Sequence, residues 1–189
     1  MKKLFVLTLM LLASRLLLAQ VTYVRVDDYQ TKYEQLTRQT GVMCKITDYE
    51  IAKVYAQFFN DMETSVRSVE VDGNVRYFYH IYRKDVKEQA VMEAYVAYDD
   101  FVEIESVLGT MIEEEHKDRN ARKEYCETFY RTEDGFQLGY SIKNRQTNWF
   151  IVLDRYSEKR INFDSGTKLK DHFQKALAKF EEVKKKNGN

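Results

Sequence analysis

The chain has 189 residues, with 30 Lys and Arg against 30 Asp and Glu, 14 Tyr, 11 Phe, two Cys and no Pro. That length suits one domain or two small halves with a real core. A charge balance with no basic excess argues against a phosphate-backbone partner, and a chain without proline has no proline-rich linker or PPII ligand segment.

The first stretch, MKKLFVLTLMLLASRLLLAQ, has the form of a secretory signal peptide: Lys2 and Lys3, an apolar run from Leu4, and the small Ala19 before a cleavage point. The apolar run is shorter than the ~20 residues a bilayer span needs. We therefore expect residues 1–19 to be removed, with no stable membrane span afterwards, and the mature chain 20–189 to be periplasmic or secreted. Removing Lys2, Lys3 and Arg15 leaves 27 basic residues against 30 acidic ones, a mildly acidic mature protein.

Residues 21–62 are hard to read. A strand is expected near 42–47, and YEIAKVYAQFF at 49–59 fits either a short helix or a second strand. The pattern then sharpens. TSVRSVEV (64–71) and VRYFYHIYRK (75–84) alternate on either side of Asp72-Gly73, the turn chemistry of a hairpin. AVMEAYVAY (90–98) supplies a third strand. The period then lengthens, and Phe101, Ile104, Leu108, Met111 and Ile112 define one face of a helix that Asp99 or Asp100 could cap.

The second half repeats this order. EYCETFYR (124–131) and FQLGYSIKN (136–144) alternate around a turn at Gly135, and RQTN (145–148) is read as the next turn. WFIVLDRY (149–156) and RINF (160–163) are further strand segments. A helix follows with Asp164 or Ser165 as cap, an inner face of Leu169, Phe173, Ala176, Leu177, Phe180 and Val183, and Lys184–Lys186 at its end, where the helix dipole favours cations. The expected fold is α+β: antiparallel sheet built from two similar hairpin–strand–helix units, each closed by one helix. It forms a single domain over 20–189, with an internal duplication of about 64–118 and 124–186. Paired units of several strands and one helix resemble, in element order over 64–186, the repeats of Pur-alpha-type single-stranded nucleic-acid-binding proteins. That resemblance implies a shared architecture and, as an alternative function, single-strand binding; no diagnostic motif of that family accompanies it.

Catalytic signatures are sparse. Glu113 and His116 have the E-x-x-H spacing of a di-metal bundle, but the second helix offers no matching pair. Ser165 and Lys168 have S-x-x-K spacing without its companion motifs, and a helix cap explains the serine. An enzyme reading would have to use Cys126, His80 or acidic residues in a cleft invisible to sequence. No metal or cofactor is expected. Cys44 and Cys126 allow one disulfide, which export would permit; the alternative is two thiols packed as small apolar side chains.

Aromatics remain. They occupy both faces of the strand 75–84, so some are candidates for an exposed platform that stacks on a sugar, a peptide side chain or a base. Tyr77, Tyr79, Tyr95 and Trp149 are the candidate binding residues, with Arg76, Arg131, Lys143 and Arg155 interleaved. The sequence thus favours an exported, non-enzymatic binding module whose partner is a protein or glycan of the cell envelope, nucleic acid being disfavoured by charge.

Overall fold

The computed structural model describes residues 29–57, 61–85, 90–121, 124–157 and 159–188. The expected signal peptide lies outside them. A short helix α1 (Lys32–Thr37) precedes strands β1 (Cys44–Val54), β2 (Met62–Val71), β3 (Asn74–Asp85) and β4 (Ala90–Ala97), then helix α2 (Tyr98–Asn120). Strands β5 (Tyr125–Arg131), β6 (Gln137–Lys143), β7 (Gln146–Val152) and β8 (Ile161–Phe163) follow, and helix α3 (Gly166–Lys186) closes the chain. Each set of four strands is an antiparallel meander in sequence order, β1-β2-β3-β4 and β5-β6-β7-β8. The fold is α+β with two similar units.

Each unit has one strand more than the hairpin–strand–helix pattern. In the first, the extra strand is β1, which runs through the ambiguous 49–54 segment and pairs along β2 from Cys44↔Val71 to Val54↔Met62. Its edge position explains the weak signal: most of its residues are exposed or half-buried, so its hydrophobic alternation is blurred. The Asp72-Gly73 turn joins β2 to β3 with both residues at positive φ (48° and 78°), as a two-residue hairpin of this hand requires. The β6–β7 turn sits at Asn144-Arg145, with φ of 52° and 64°, and not at 145–148. Gln146 and Thr147 already belong to β7, paired with Lys143 and Ile142.

The helices begin differently. Ser165 caps α3, its hydroxyl accepting from the Lys168 amide at 3.4 Å. Neither Asp99 nor Asp100 caps α2, which starts earlier, at Tyr98, with Ala97 in the cap position. Both aspartates lie in the first turn, where they favour the helix dipole. Asp100 instead receives the Lys32 ammonium at 2.7 Å.

The units are interlocked through their helices. Helix α3 packs on β1 and β2 of the first sheet, while α2 packs on β3 and β4 and reaches across to β5, β6 and β7. The helices also pack on each other. One hydrophobic cluster therefore contains the inner faces of both sheets (Val66, Tyr79, Val96; Leu138, Tyr140, Ile151) and both helix faces (Phe101, Ile104, Leu108; Leu169, Phe173, Phe180). Tyr79 is fully buried among Phe101 and Phe173 with ring centroids 4.5 and 5.7 Å away. Its hydroxyl and Nε2 of the buried His172 share a hydrogen bond at 2.9 Å, which satisfies two polar groups that would be costly to bury alone.

Burial pushes the His172 pKa down from 6.5 to about 4, with the nearby Lys175 charge acting the same way. The ring is therefore neutral in the folded core but protonates in the unfolded chain at mildly acidic pH. The folded state binds fewer protons across this interval. The resulting stability is present in full above the unfolded pKa and is lost as pH falls from 6.5 towards 4. The native protein should lose about 3 kcal/mol more over that window than His172→Gln, which cannot titrate. Urea denaturation at stepped pH measures this; parallel curves for the two proteins would contradict the assignment.

Candidate functional site

Alternation along β2, β3 and β4 sends one set of side chains into the core and the other to the outer face of the first sheet. Strand register brings Ser65, His80 and Tyr95 side by side on that outer face, with Asp48 beside Arg67 and Tyr82 beside Glu93. Helix α1 lies over it: Tyr33 and Leu36 pack on Val69, Val71, Phe78 and Tyr95, a small second core. The helix starts with a capping box, Thr31 accepting from the Glu34 amide while Glu34 accepts from the Thr31 amide. Its N-terminus is tied to the second unit: Asp134 accepts from the Lys32 amide (3.1 Å) and from the Tyr29 hydroxyl (3.0 Å).

Four near-parallel rings form a column across this face, in the order Tyr82, His80, Tyr95 and Tyr33. Their successive centroid separations are 4.9, 4.7 and 3.7 Å, and their interplanar angles are 15°, 11° and 8°. Arg67 braces the column. Its guanidinium donates Nε to Asp48 Oδ1 (2.7 Å) and Nη2 to Asp48 Oδ2 (2.6 Å), a bidentate fork, and Nη1 to the hydroxyls of Tyr33 and Tyr95 (3.1 Å each). The same group lies 5.1 Å from the Tyr95 ring centre. The Arg67 contact holds the Asp48 carboxyl below the ordinary carboxylate range, and burial followed by the Glu93 hydrogen bond raises the Tyr95 phenol. The cluster thus pairs the Asp48 carboxylate with the Arg67 guanidinium beside a protonated Tyr95 phenol.

Ser65 Oγ and His80 Nδ1 are 3.4 Å apart, and His80 Nε2 is 3.5 Å from Glu93 Oε2. The order Ser–His–carboxylate invites a hydrolase reading, but the surroundings do not supply one. Ser65 and His80 are both buried. Ser65 sits on β2, paired on both sides, so the strand ladders take up the backbone N–H groups an oxyanion would need. Burial and the adjacent Arg67 charge lower the His80 pKa, leaving a neutral ring that serves the column.

The open end of this cluster faces a cleft of about 470 Å³ between α1, β4 and the segment after β7. Tyr29, Tyr33, Tyr95 and Tyr156 wall it. The far wall depends on Gly135. This residue has φ +96°, and a side chain there would meet the Arg155 backbone at 2.5 Å, so only glycine lets the β5–β6 turn close against the Arg155–Tyr156 segment. Arg155 stacks on the Tyr29 ring at 3.4 Å and donates to the Glu133 carbonyl. The Tyr29 phenol is pushed up to about 12, mainly by burial and by its Asp134 hydrogen bond.

Of the four residues expected to form a platform, only Tyr95 is on this wall. Tyr77 and Tyr79 are buried on the inner face of β3, and Trp149 is buried against Tyr140 at 5.2 Å. The reason is physical: a Tyr whose hydroxyl finds a buried partner, as Tyr79 finds His172, is as good a core residue as Phe. Arg76 and Lys143 lie elsewhere, and Arg131 sits over Phe129 at 5.5 Å. Cys44 and Cys126 lie on different sheets and form no disulfide, the first exposed and the second half-buried with its Sγ donating to Asp118 at 3.2 Å. Sequence reasoning missed Tyr29, Tyr33, Arg67 and Tyr156. Only Arg67 left a trace, as a charge inside the alternating run TSVRSVEV.

Among the described residues no group of three or more His, Cys, Asp or Glu is placed to hold a metal, and no helix is long and apolar enough to cross a membrane. No family model, curated protein or solved structure matches the chain. The likeness to Pur-alpha-type repeats thus rests on element order alone.

If the Asp48–Arg67 fork sets the column, lysine cannot replace Arg67, because an ammonium cannot make the bidentate pair while reaching two phenols. Arg67→Lys should cost about 1–3 kcal/mol in urea unfolding. Asp48→Asn should cost a similar amount, and the double variant less than the sum. Additive effects, or a loss below about 0.5 kcal/mol in both single variants, would contradict the bracing role.

Proposed function

We propose that the protein is an exported, non-catalytic binding module of a bacterial cell envelope, and that it takes its ligand in the tyrosine-walled cleft beside β4. The observation that carries this reading is the pre-set wall. Tyr33 and Tyr95 stack at 3.7 Å, Arg67 fixes their hydroxyls, and they face Tyr29 and Tyr156 across about 470 Å³ of open space. Tyrosines carry large contact area with little rotamer freedom to lose, and rings already held by hydrogen bonds and stacking lose less still on binding. The cleft contains carboxylates and phenols but no activated nucleophile: Glu93 lines it, while Ser65 and His80 are buried and do not. Export is supported by the signal-like residues 1–19. The acid excess of the mature chain favours glycan or protein over nucleic acid as the ligand.

Amide chemical shifts of the labelled mature protein would test this against two probe sets, chito- and malto-oligosaccharides and a pool of random hexapeptides. At least one set should shift residues 33, 93–95 and 153–156. Tyr156→Ala, an exposed position whose loss leaves the core intact, should weaken the response about tenfold, as loss of one aromatic contact predicts. Perturbations confined to another surface, such as that of the exposed Tyr125 and Phe129, would overturn the assignment, as would silence to both sets.

A further inference from the structure

Within that cleft the first sheet presents an edge, not a face. Glu93, Ala94 and Tyr95 are consecutive residues of β4, whose side chains alternate between outer and inner faces, yet all three line the cleft. A strand contributes consecutive residues to one wall only when it is seen edge-on. Strand β4 ends the sheet order and pairs only with β3, so over its eight residues the other edge carries backbone N–H and C=O groups with no ladder partner among the described residues. Unpaired edges of this kind are templates for an added strand, and natural sheets usually cover or charge them.

The charge of the cleft narrows what could be added. Glu34, Glu93, Asp134 and Asp154 line it against Arg38 and Arg155. Arg38 is spent on Glu34 at 2.5 Å, and Arg155 lies flat on the Tyr29 ring. Glu93 and Asp154 remain exposed, one on the edge strand itself and one on the wall opposite. Side chains of an added strand that point to the Tyr95 side would meet Glu93 and a tyrosine ring, a setting for a Lys or Arg with its apolar stem on the aromatic.

We propose that the cleft binds an extended peptide bearing basic side chains, which pairs with the free edge of β4 as a fifth strand of the first sheet. The backbone ladder would supply affinity independent of side-chain identity, and the Glu93/Tyr95 and Asp154/Tyr156 positions would select cationic residues at alternate places. This rests on the cleft being the binding site, and it adds the ligand class and the mode of recognition.

The test uses the full mature protein and an acetylated, fluorescently labelled eight-residue peptide that alternates lysine and valine. Three companions accompany it: the glutamate–valine analogue and two forms N-methylated on every second residue, one in each register. The lysine peptide should bind and slow hydrogen exchange of alternate β4 amides at least tenfold. One N-methyl form should lose at least tenfold in affinity while the other keeps most of it, because only alternate residues of a strand face its partner. The glutamate analogue should not bind, and Glu93→Lys should weaken the lysine peptide at least fivefold. Binding that ignores N-methylation in both registers would overturn strand addition, as would protection confined to other strands. Oligosaccharides that shift the cleft residues while the lysine peptide does not bind would also overturn it, leaving the cleft assignment standing. Failure of peptide and oligosaccharide alike would remove both. Concentration-dependent dimers whose protected amides are those of β4 would assign the edge to a second copy of this chain and overturn the peptide.

Discussion

The interaction on which the rest depends is the burial of Tyr79 between helices from both units. Its ring packs on Phe101 of α2 and Phe173 of α3, and its hydroxyl bonds to His172 of α3. A single four-stranded meander with one helix buries only a small fraction of its surface and is marginal alone. Here the first sheet takes the helix from the end of the chain, and the first helix reaches over to the second sheet. The two inner faces then become one cluster, with no separable half. The hydrogen bond inside it leaves no orphaned phenol or imidazole nitrogen at that point, so burial of two polar side chains adds specificity of packing at small net cost.

With the inner faces committed to this shared core, binding surface must come from the outer faces and edges. The two sheets differ here. On the first, α1 covers part of the outer face, and its N-terminus is anchored on Asp134 of the second unit and, through Lys32, on Asp100 of α2. The helix therefore ties the outer face to the opposite unit and leaves a gap where its C-terminal half, β4 and the Arg155–Tyr156 segment approach one another. Arg67 makes the wall of that gap rigid, because one guanidinium satisfies a carboxylate and two phenols. Among the described residues no such helix lies on the outer face of the second sheet. There Arg131 lies beside Phe129 and Arg160 covers Phe150, while Tyr125 and Phe129 stay exposed.

Much of this architecture was legible in the residues. The Asp72-Gly73 turn, the two helix faces and the repeated order of strands and helix follow from turn chemistry and periodicity, which are local. What escaped was long-range. Strand β1 was ambiguous because an edge strand need not alternate cleanly. The Asn144-Arg145 turn was placed too late because Arg at positive φ has no sequence signature, whereas Gly135 at the other hairpin does. The binding wall was the least visible part. Tyr77 and Tyr95 look alike in sequence, and register against β2 and β4 decides that one is core and the other lines a cleft. Tyr29, Tyr33 and Tyr156 come from segments whose meeting depends on how the units lock together.

That locking is the central claim, and native-state hydrogen exchange on the full mature chain under increasing urea addresses it most directly. The account predicts that core amides of both sheets, such as Val66 and Tyr79 in the first and Tyr140 and Ile151 in the second, converge on one opening free energy and one urea dependence, since neither sheet keeps its covering helix when the other unfolds. If one set of four strands remained protected after the other had opened, the two units would be independent folds, and the shared core would not be what holds the cleft together.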